Sequence, residues 1–266
     1  MTSNAPADII NFMSAVRKSL IILVALFFLA GCGNDMKTGY ARIKQSGILR
    51  IGTDATYPPF EYNDDQTGQL IGFDIDLMKA ICKELELRPE FIVVPFGGII
   101  PGLRSNKYDC IISAMTITPE RQEAVNFTSP YYNAGQSIAV PLENTSINTI
   151  EDLQGKKIGV QIGTTGEIMA KTIEDAEVIS FNNIGAAFID MENGHLDAVL
   201  NDAPTSLRAI RVRGKAKKVG PLLSAEQYGI AVDKSNSELL DILNKALEKT
   251  KDAGILDSLN SYWLGG

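Results

Sequence analysis

Cysteine and histidine are scarce in this 266-residue chain, which contains three cysteines and one histidine. No metal-binding spacing of these residues is present, so a structural zinc site is excluded. Cys82 lies on the apolar side of a predicted helix and Cys110 in an apolar predicted strand. Two buried free thiols are the simpler interpretation, and a disulfide between them stays open because sequence does not show proximity. His195 falls in a turn and is interpreted as exposed and structural.

Clusters of positive charge are equally rare. The net charge is −7, and the only basic run beyond the first 20 residues is 208–218 (RAIRVRGKAKK). Proteins that bind nucleic acid need a Lys/Arg patch to neutralise phosphates, so nucleic acid is not an expected partner. We interpret the run as a solvated surface, with a docking face as the alternative.

No apolar run is long enough to span a bilayer of roughly 30 Å. The longest is the eleven-residue stretch 20–30, which follows Arg17 and Lys18 and is typical of an export signal. The closing residues 29–32 (LAGC) resemble the lipobox of bacterial lipoproteins, in which the cysteine is lipidated and becomes the mature N-terminus. We therefore predict a signal peptide over 1–31, lipidation at Cys32 and a location in the periplasm or at the cell surface, anchored to a membrane. The alternative is a transmembrane anchor with an incidental cysteine, and Met13 offers an alternative start.

Beyond a polar tether predicted over 32–46, predicted strands alternate with predicted helices. The strands are 48–52, 91–94, 109–113, 157–161, 177–181 and 198–200, and the helices are 73–87, 98–104, 166–172, 186–193 and 206–211. Asp74 is the expected N-cap of the first helix. This alternation predicts an α/β fold with parallel sheets and right-handed crossovers.

Two internal echoes predict two similar lobes. Residues 47–52 (GILRIG) resemble 155–160 (GKKIGV), and 106–113 (NKYDCIIS) resemble 194–201 (GHLDAVLN). The separations of the two pairs are too unequal for a solenoid. Ligands of such sheets bind outside the carboxyl ends of the strands, which is where polar residues follow each strand.

The C-terminal part predicts a return to the first lobe. It contains a strand at 228–232, a helix capped by Ser235 or Asn236, and a final helix over 255–264, which cannot form a sheet alone. Lobe 1 is thus predicted as 47–135 plus 228–266 and lobe 2 as 136–227. The chain would cross between them near 132–140 and 222–230, and two crossings make a hinge.

Several motifs resemble the extracellular solute-binding proteins of family 3, the polar amino acid receptors of ABC importers. They are 52–61 (GTDATYPPFE), 72–85 (GFDIDLMKAICKEL), 114–121 (AMTITPER), 126–132 (NFTSPYY), 163–165 (GTT) and 254–263 (GILDSLNSYW). The similarity runs from about residue 46 to the end, in the family's order. It implies a two-lobed periplasmic-binding-protein fold, capture of a free L-amino acid in the cleft, delivery to a membrane permease, a monomer and no cofactor.

A free amino acid presents a carboxylate, for which Arg121 offers a planar bidentate donor. The turn at Thr164 and Thr165 offers backbone N–H groups at a helix N-terminus, and Thr116 offers a hydroxyl. The resemblance implies that Arg121 binds the carboxylate with help from Thr116 and Thr165. The alternative for Arg121 is a surface arginine paired with a neighbouring glutamate.

The ammonium and side chain of the ligand need other partners. The resemblance places an amine-binding carboxylate at Asp202, whose alternative role is to cap the following helix; Ser113 and the Ala114 carbonyl are expected to assist. The side-chain end is expected to be lined by four residues, of which the aromatic ones have core packing as their alternative: Asp54, Tyr57, Phe96 and Gln161. A buried carboxylate calls for a ligand cation or amide, and aromatic rings stack on an aliphatic stem or a guanidinium group.

The stretch 159–165 (GVQIGTT) resembles arginine- and lysine-type receptors, which implies a basic or polar amino acid, with arginine or lysine ahead of glutamine. A glutamine-selective relative would be expected to carry lysine at the position of Gln161. The alternative function is a cyclohexadienyl or arogenate dehydratase on the same fold, but the predicted cleft holds neither Cys nor His as an acid or base. A sensory domain is a third alternative.

Overall fold

The computed structural model describes residues 39–265. The predicted signal peptide, the predicted lipidation site Cys32 and residues 33–38 of the tether lie outside the described residues. Within 39–265, no helix combines the length and the apolarity needed to cross a bilayer. The tether prediction is wrong from Gly39 onward, because residues 39–46 form a helix. One buried side chain, Ile43, anchors that helix in the core, and its Arg42 pairs with Asp109.

Fifteen strands and nine α-helices follow one another in the described residues. The strands are β1 (Ile48–Thr53), β2 (Thr56–Tyr57), β3 (Glu61–Asn63), β4 (Leu70–Ile71), β5 (Arg88–Val93), β6 (Cys110–Ile111), β7 (Val125–Phe127), β8 (Tyr132–Ala134), β9 (Gln136–Pro141), β10 (Lys157–Gln161), β11 (Glu177–Phe181), β12 (Ala198–Asp202), β13 (Ala216–Val219), β14 (Glu226–Tyr228) and β15 (Ala231–Asp233). The helices are α1 (Gly39–Ser46), α2 (Phe73–Glu84), α3 (Ile99–Arg104), α4 (Pro119–Ala124), α5 (Thr165–Ala170), α6 (Ile184–Glu192), α7 (Ala203–Arg213), α8 (Ser237–Asp252) and α9 (Ile255–Leu264).

Two five-stranded sheets organise the molecule. The first has the order β5-β1-β6-β15-β7 and the second the order β11-β10-β12-β9-β13. We call each sheet with its packed helices lobe 1 and lobe 2. In each lobe the first three strands are parallel and the last two run antiparallel to their neighbours. The expectation of parallel sheets is therefore wrong at the fourth strand of each sheet, because β15 and β9, which follow the hinge strands in the chain, run opposite to the other four.

The two sequence echoes occupy equivalent places. The first members of each pair end in β1 and β6, and the second members in β10 and β12, which are the second and third strands of their sheets. The repeated aspartate explains the motif. Asp109 accepts a hydrogen bond from the Arg50 amide at 2.9 Å, and Asp197 accepts one from the Lys157 amide at 2.8 Å. Each carboxylate thus fastens the turn before one strand to the start of its parallel neighbour.

An antiparallel ribbon of β8 and β14 connects the lobes. These short strands lie in the two predicted crossings, and β15 then pairs with β6 and β7 of lobe 1, as the predicted return requires. Asn236 caps α8 by accepting a bond from the Leu239 amide, which resolves the choice between Ser235 and Asn236.

Asp74 is not the predicted N-cap of α2. Gly72 takes that position with a positive φ of 136°, because a Cβ there would lie 2.1 Å from the Phe60 carbonyl oxygen. The buried Asp74 carboxylate instead accepts bonds from the Ala114 amide at 2.7 Å and the Tyr131 hydroxyl at 2.9 Å. It thus joins the start of α2 to the residues that follow β6.

Cys82 and Cys110 are both free and buried, as the simpler interpretation predicted. Burial raises the pKa of the Cys82 thiol to about 12. His195 is exposed beside Asp190, as expected. The basic run is only partly a solvated surface: it covers the second half of α7 and most of β13, where Lys217 donates to the Asn144 carbonyl at 2.7 Å.

Candidate ligand-binding site

A narrow cavity lies between the two lobes, with about 10 Å³ of space for the centre of a water-sized sphere, next to the carboxyl ends of β1, β6, β10 and β12. All eleven residues predicted for the ligand site line it, together with Glu61, which the sequence analysis missed. The lining residues are Asp54, Tyr57, Glu61, Phe96, Ser113, Ala114, Thr116, Arg121, Gln161, Thr164, Thr165 and Asp202. The topology thus brings together side chains that are far apart in the sequence.

Arg121 is the guanidinium of this cavity. It extends from the short helix α4, which Thr118 caps by accepting a bond from the Arg121 amide. Its Nη1 donates to the Thr116 carbonyl at 2.7 Å and its Nη2 to the Gly163 carbonyl at 3.0 Å, and the group lies 5.3 Å from the centre of the Phe96 ring.

Arg121 is not the surface arginine of the alternative interpretation. In the part of the chain that the structure describes, it forms no ion pair within 4 Å. Burial lowers the pKa of its guanidinium, and the charges of Asp202 and Glu226 oppose that shift. A guanidinium has five N–H donors, so donors remain for an anion.

The predicted helix N-terminus is more occupied than expected. Thr164 is the N-cap of α5 and accepts a bond from the Glu167 amide at 3.2 Å. The Glu167 carboxylate accepts the Gly163 amide at 2.6 Å, so that donor is already used. The Thr164 amide donates to the Gln161 carbonyl at 3.4 Å, so within the described residues the Thr165 amide, at the first helical position, is the one of this turn left for an anion.

The hydroxyls of Thr116 and Thr165 share one acceptor that sequence reasoning missed. Both donate to Oε2 of Glu226, at 2.6 and 2.9 Å. Because Glu226 lies on the hinge strand β14, its carboxylate connects a threonine of each lobe to the hinge. A bound ligand carboxylate would have to share these two hydroxyl donors with Glu226 or replace Glu226 as their acceptor.

Asp202 lies at the end of β12 and is held by three side chains. Its Oδ2 accepts hydrogen bonds from the Tyr57 hydroxyl at 2.9 Å and from the Tyr228 hydroxyl at a shorter distance. Its Oδ1 accepts one from Nε2 of the Gln136 side chain. Burial raises the pKa of Asp202 to about 6, and the Glu226 charge adds to the shift. Asp202 occupies the N-cap position of α7, but its side chain makes no capping bond. The capping alternative is therefore not what holds this carboxylate.

Asp54 and Gln161 meet across the cleft. The Gln161 Nε2 donates to Oδ2 of Asp54 at 2.6 Å, and the Thr56 hydroxyl donates to Oδ1 at 2.7 Å. Burial raises the pKa of Asp54, and these two hydrogen bonds oppose the shift. The Gln161 carbonyl oxygen is buried without a partner in the described residues. An unpaired buried acceptor is costly, so this end of the cavity is suited to a ligand that donates hydrogen bonds.

Glu61 and Asp74 form a buried acidic pair beneath the cavity. Burial and the charge of Asp74 raise the pKa of Glu61 well above its usual range, and burial raises the pKa of Asp74 to about 7. The Ser113 hydroxyl donates to Oε1 of Glu61 at 2.7 Å, and one oxygen of each acid has no N–H or O–H partner in the described residues. A proton shared between the two acids would satisfy both oxygens. The acidic residue ending the 52–61 motif was the available sequence signal for Glu61.

The model of the bacterial extracellular solute-binding proteins, family 3, matches residues 49–266. The chain belongs to this family. Family 3 members are extracellular by description, which agrees with the predicted export.

Three comparisons specify the likeness of this family 3 protein. It is 36% identical over 224 residues to the ABC transporter arginine-binding protein 1 of Escherichia coli K12, covering 81% of this chain and 90% of that one. An ancestral arginine-binding protein solved with arginine is 46% identical with a TM-score of 0.79, covering 82% of this chain and 98% of that one. The same kind of ancestral protein solved with glutamine is 47% identical with a TM-score of 0.80, covering 83% and 99%. These relatives are binding proteins and not enzymes, which favours the receptor function over the dehydratase alternative.

Proposed function

We propose that this protein is the extracytoplasmic receptor of an ABC importer and captures a basic amino acid, with arginine ahead of lysine and glutamine third. The ligand would lie in the interlobe cavity, where Arg121 binds its carboxylate and Asp202 its ammonium. Thr116, Thr165 and the Ala114 carbonyl would assist. Binding would favour the closed hinge, and the closed form would deliver the amino acid to a membrane permease.

The balance of charges in the cavity is the observation that carries the ligand class. With the proton of the Glu61–Asp74 pair in place, the lining holds one cation, Arg121, and two carboxylates, Asp54 and Asp202. An arginine ligand supplies one anion and two cations, so Arg121, Asp54 and Asp202 each have a counter-charge. Glutamine would leave Asp54 without a cation, and glutamate would set a second carboxylate against it.

Calorimetry with arginine, lysine, histidine, glutamine and glutamate tests this ranking. Arginine is expected to bind most tightly. Asp54→Asn should weaken arginine much more than glutamine, because it removes only the charge opposite the guanidinium. Glu90→Gln, a charge removal on β5 outside the cavity, is the matched control. A preference for glutamate or aspartate would refute the proposed ligand class, and mass spectrometry of molecules released by denaturation would identify the ligand carried from the cell.

We also propose lobe boundaries at 47–135 plus 228–266 and 136–227, a monomeric state, and anchoring to a membrane by lipid on Cys32. The basis for the anchor is the 29–32 motif after a basic and apolar leader. Cys32→Ser is expected to release the protein from the membrane fraction while its ligand affinity stays that of the parent. Mass spectrometry of the intact N-terminus measures the lipid directly.

A further inference from the structure

A second contact between the lobes lies outside the ligand cavity. Arg208 is on α7 of lobe 2, and its guanidinium carbon is 5.5 Å from the centre of the Tyr62 ring. Its Nη2 is also 3.5 Å from the Tyr62 hydroxyl. Tyr62 belongs to β3, which packs beside α2 in lobe 1. Neither residue lines the cavity.

Tyr62 is held in place by the rest of lobe 1. Its ring meets the edge of Trp263 on α9, with centroids 6.2 Å apart and planes at 89°. The Trp263 Nε1 donates to Asp76 on α2 at 3.1 Å. An arginine from one lobe therefore rests on an aromatic pair that the other lobe fixes from beneath.

We propose that Arg208 is a positioning residue for closure, clasping lobe 2 to the Tyr62–Trp263 pair of lobe 1 in the closed protein. The contact is a cation–π interaction between half-buried groups, which is lost when the lobes separate. Its contribution therefore belongs to the closed form alone and slows ligand escape without touching the ligand. The inference rests on the proposed function only through the closing motion.

Stopped-flow kinetics with L-arginine test the clasp. Arg208→Gln and Tyr62→Leu should each speed dissociation about two- to fivefold, the range expected for a cation–π contact partly open to solvent, and neither should slow association. The double variant should dissociate no faster than either single variant. Tyr62→Phe keeps the ring and should behave as the parent, and Lys215→Gln removes an exposed charge from the same basic run as a control.

Small-angle X-ray scattering of the proteins without amino acid gives an arm that does not depend on the ligand. Arg208→Gln is expected to have a larger radius of gyration than the parent, because an unclasped molecule populates open forms more. Dissociation rates equal to the parent's, or additive effects in the double variant, would overturn the clasp. If L-arginine does not bind the parent, the proposed function fails, and an unchanged radius of gyration is then the result that overturns the clasp.

Discussion

Replacing Arg121 tests the centre of the proposed site. Its guanidinium spends one N–H on the Thr116 carbonyl and one on the Gly163 carbonyl, which leaves donors to grip a ligand carboxylate as a bidentate pair. Removing one partner of a buried, hydrogen-bonded charge pair costs about 2–5 kcal/mol. Arg121→Ala should therefore weaken L-arginine binding by about 30- to 5,000-fold.

Arg121→Lys should fall between the parent and Arg121→Ala, since an ammonium keeps the charge but not the planar fork. Isothermal titration calorimetry at pH 7.5 gives the affinities, and thermal unfolding checks that each variant folds. The exposed Arg104 on α3 provides the matched control, Arg104→Ala. An Arg121→Ala variant that binds L-arginine within threefold of the parent would refute the assignment of this residue.

Three further outcomes follow from buried charge and from backbone geometry. The ligand-free pKa of Asp202 is about 6, so the affinity for L-arginine should fall as the pH drops below 6, by up to about tenfold per pH unit. In Asp202→Asn the affinity should be weak and independent of pH from pH 5 to 8. Calorimetry across that pH range measures both proteins. The folded pKa of Asp74, about 7, lies above the ordinary 3.8, so its contribution to stability is complete below pH 4 and is lost as the pH rises through 7, by at most about 4 kcal/mol. Urea unfolding at pH 5 and pH 8 should therefore show a smaller loss of unfolding free energy in Asp74→Asn than in the parent. An equal loss in the two proteins contradicts the reasoning. Gly72→Ala places a Cβ 2.1 Å from the Phe60 carbonyl oxygen at a φ of 136° and should destabilise the protein by about 3 kcal/mol, whereas Gly98→Ala, with no atom within 4 Å of its Cβ, should change the unfolding free energy little.

Strong periodicity made the central elements of each lobe predictable. The strands 157–161 and 177–181 and the helix 255–264 begin and end where the sequence predicted, because glycine, polar or charged residues bound each apolar segment. The helix predicted to 87 stops at Glu84 instead, since Glu86 adopts a left-handed φ of 55°. Propensity alone does not show such a turn.

Elements that depend on distant partners were not predictable. β2, β3 and β4 have two or three residues each, which is too few for an alternation of apolar and polar residues to predict a strand. They form because they pair with one another. α1 is polar apart from the buried Ile43 and an edge tyrosine, so its sequence is that of a tether. Its position comes from packing against β1 and α8.

The candidate site shows the same division. Family motifs pointed to Arg121 and Asp202, but Glu226 and Gln136 escaped notice because each acts through residues of another element. Gln136 reaches both Asp202 and Thr165, and Glu226 reaches both threonines. Such bridges appear only once the fold sets the elements side by side.

The antiparallel β8–β14 ribbon restricts how the two lobes can move relative to each other. Three paired positions join β8 to β14, and Thr116 forms a further bridge with Tyr228 at the end of the ribbon. A rotation of one lobe about the long axis of the ribbon would break these pairs. Bending across the flat of the ribbon, like a book about its spine, leaves them intact. The distance between two spectroscopic labels, one on each lobe, should accordingly change along a single bending motion between an open and a closed value. This makes the scaffold suited to a ratiometric sensor.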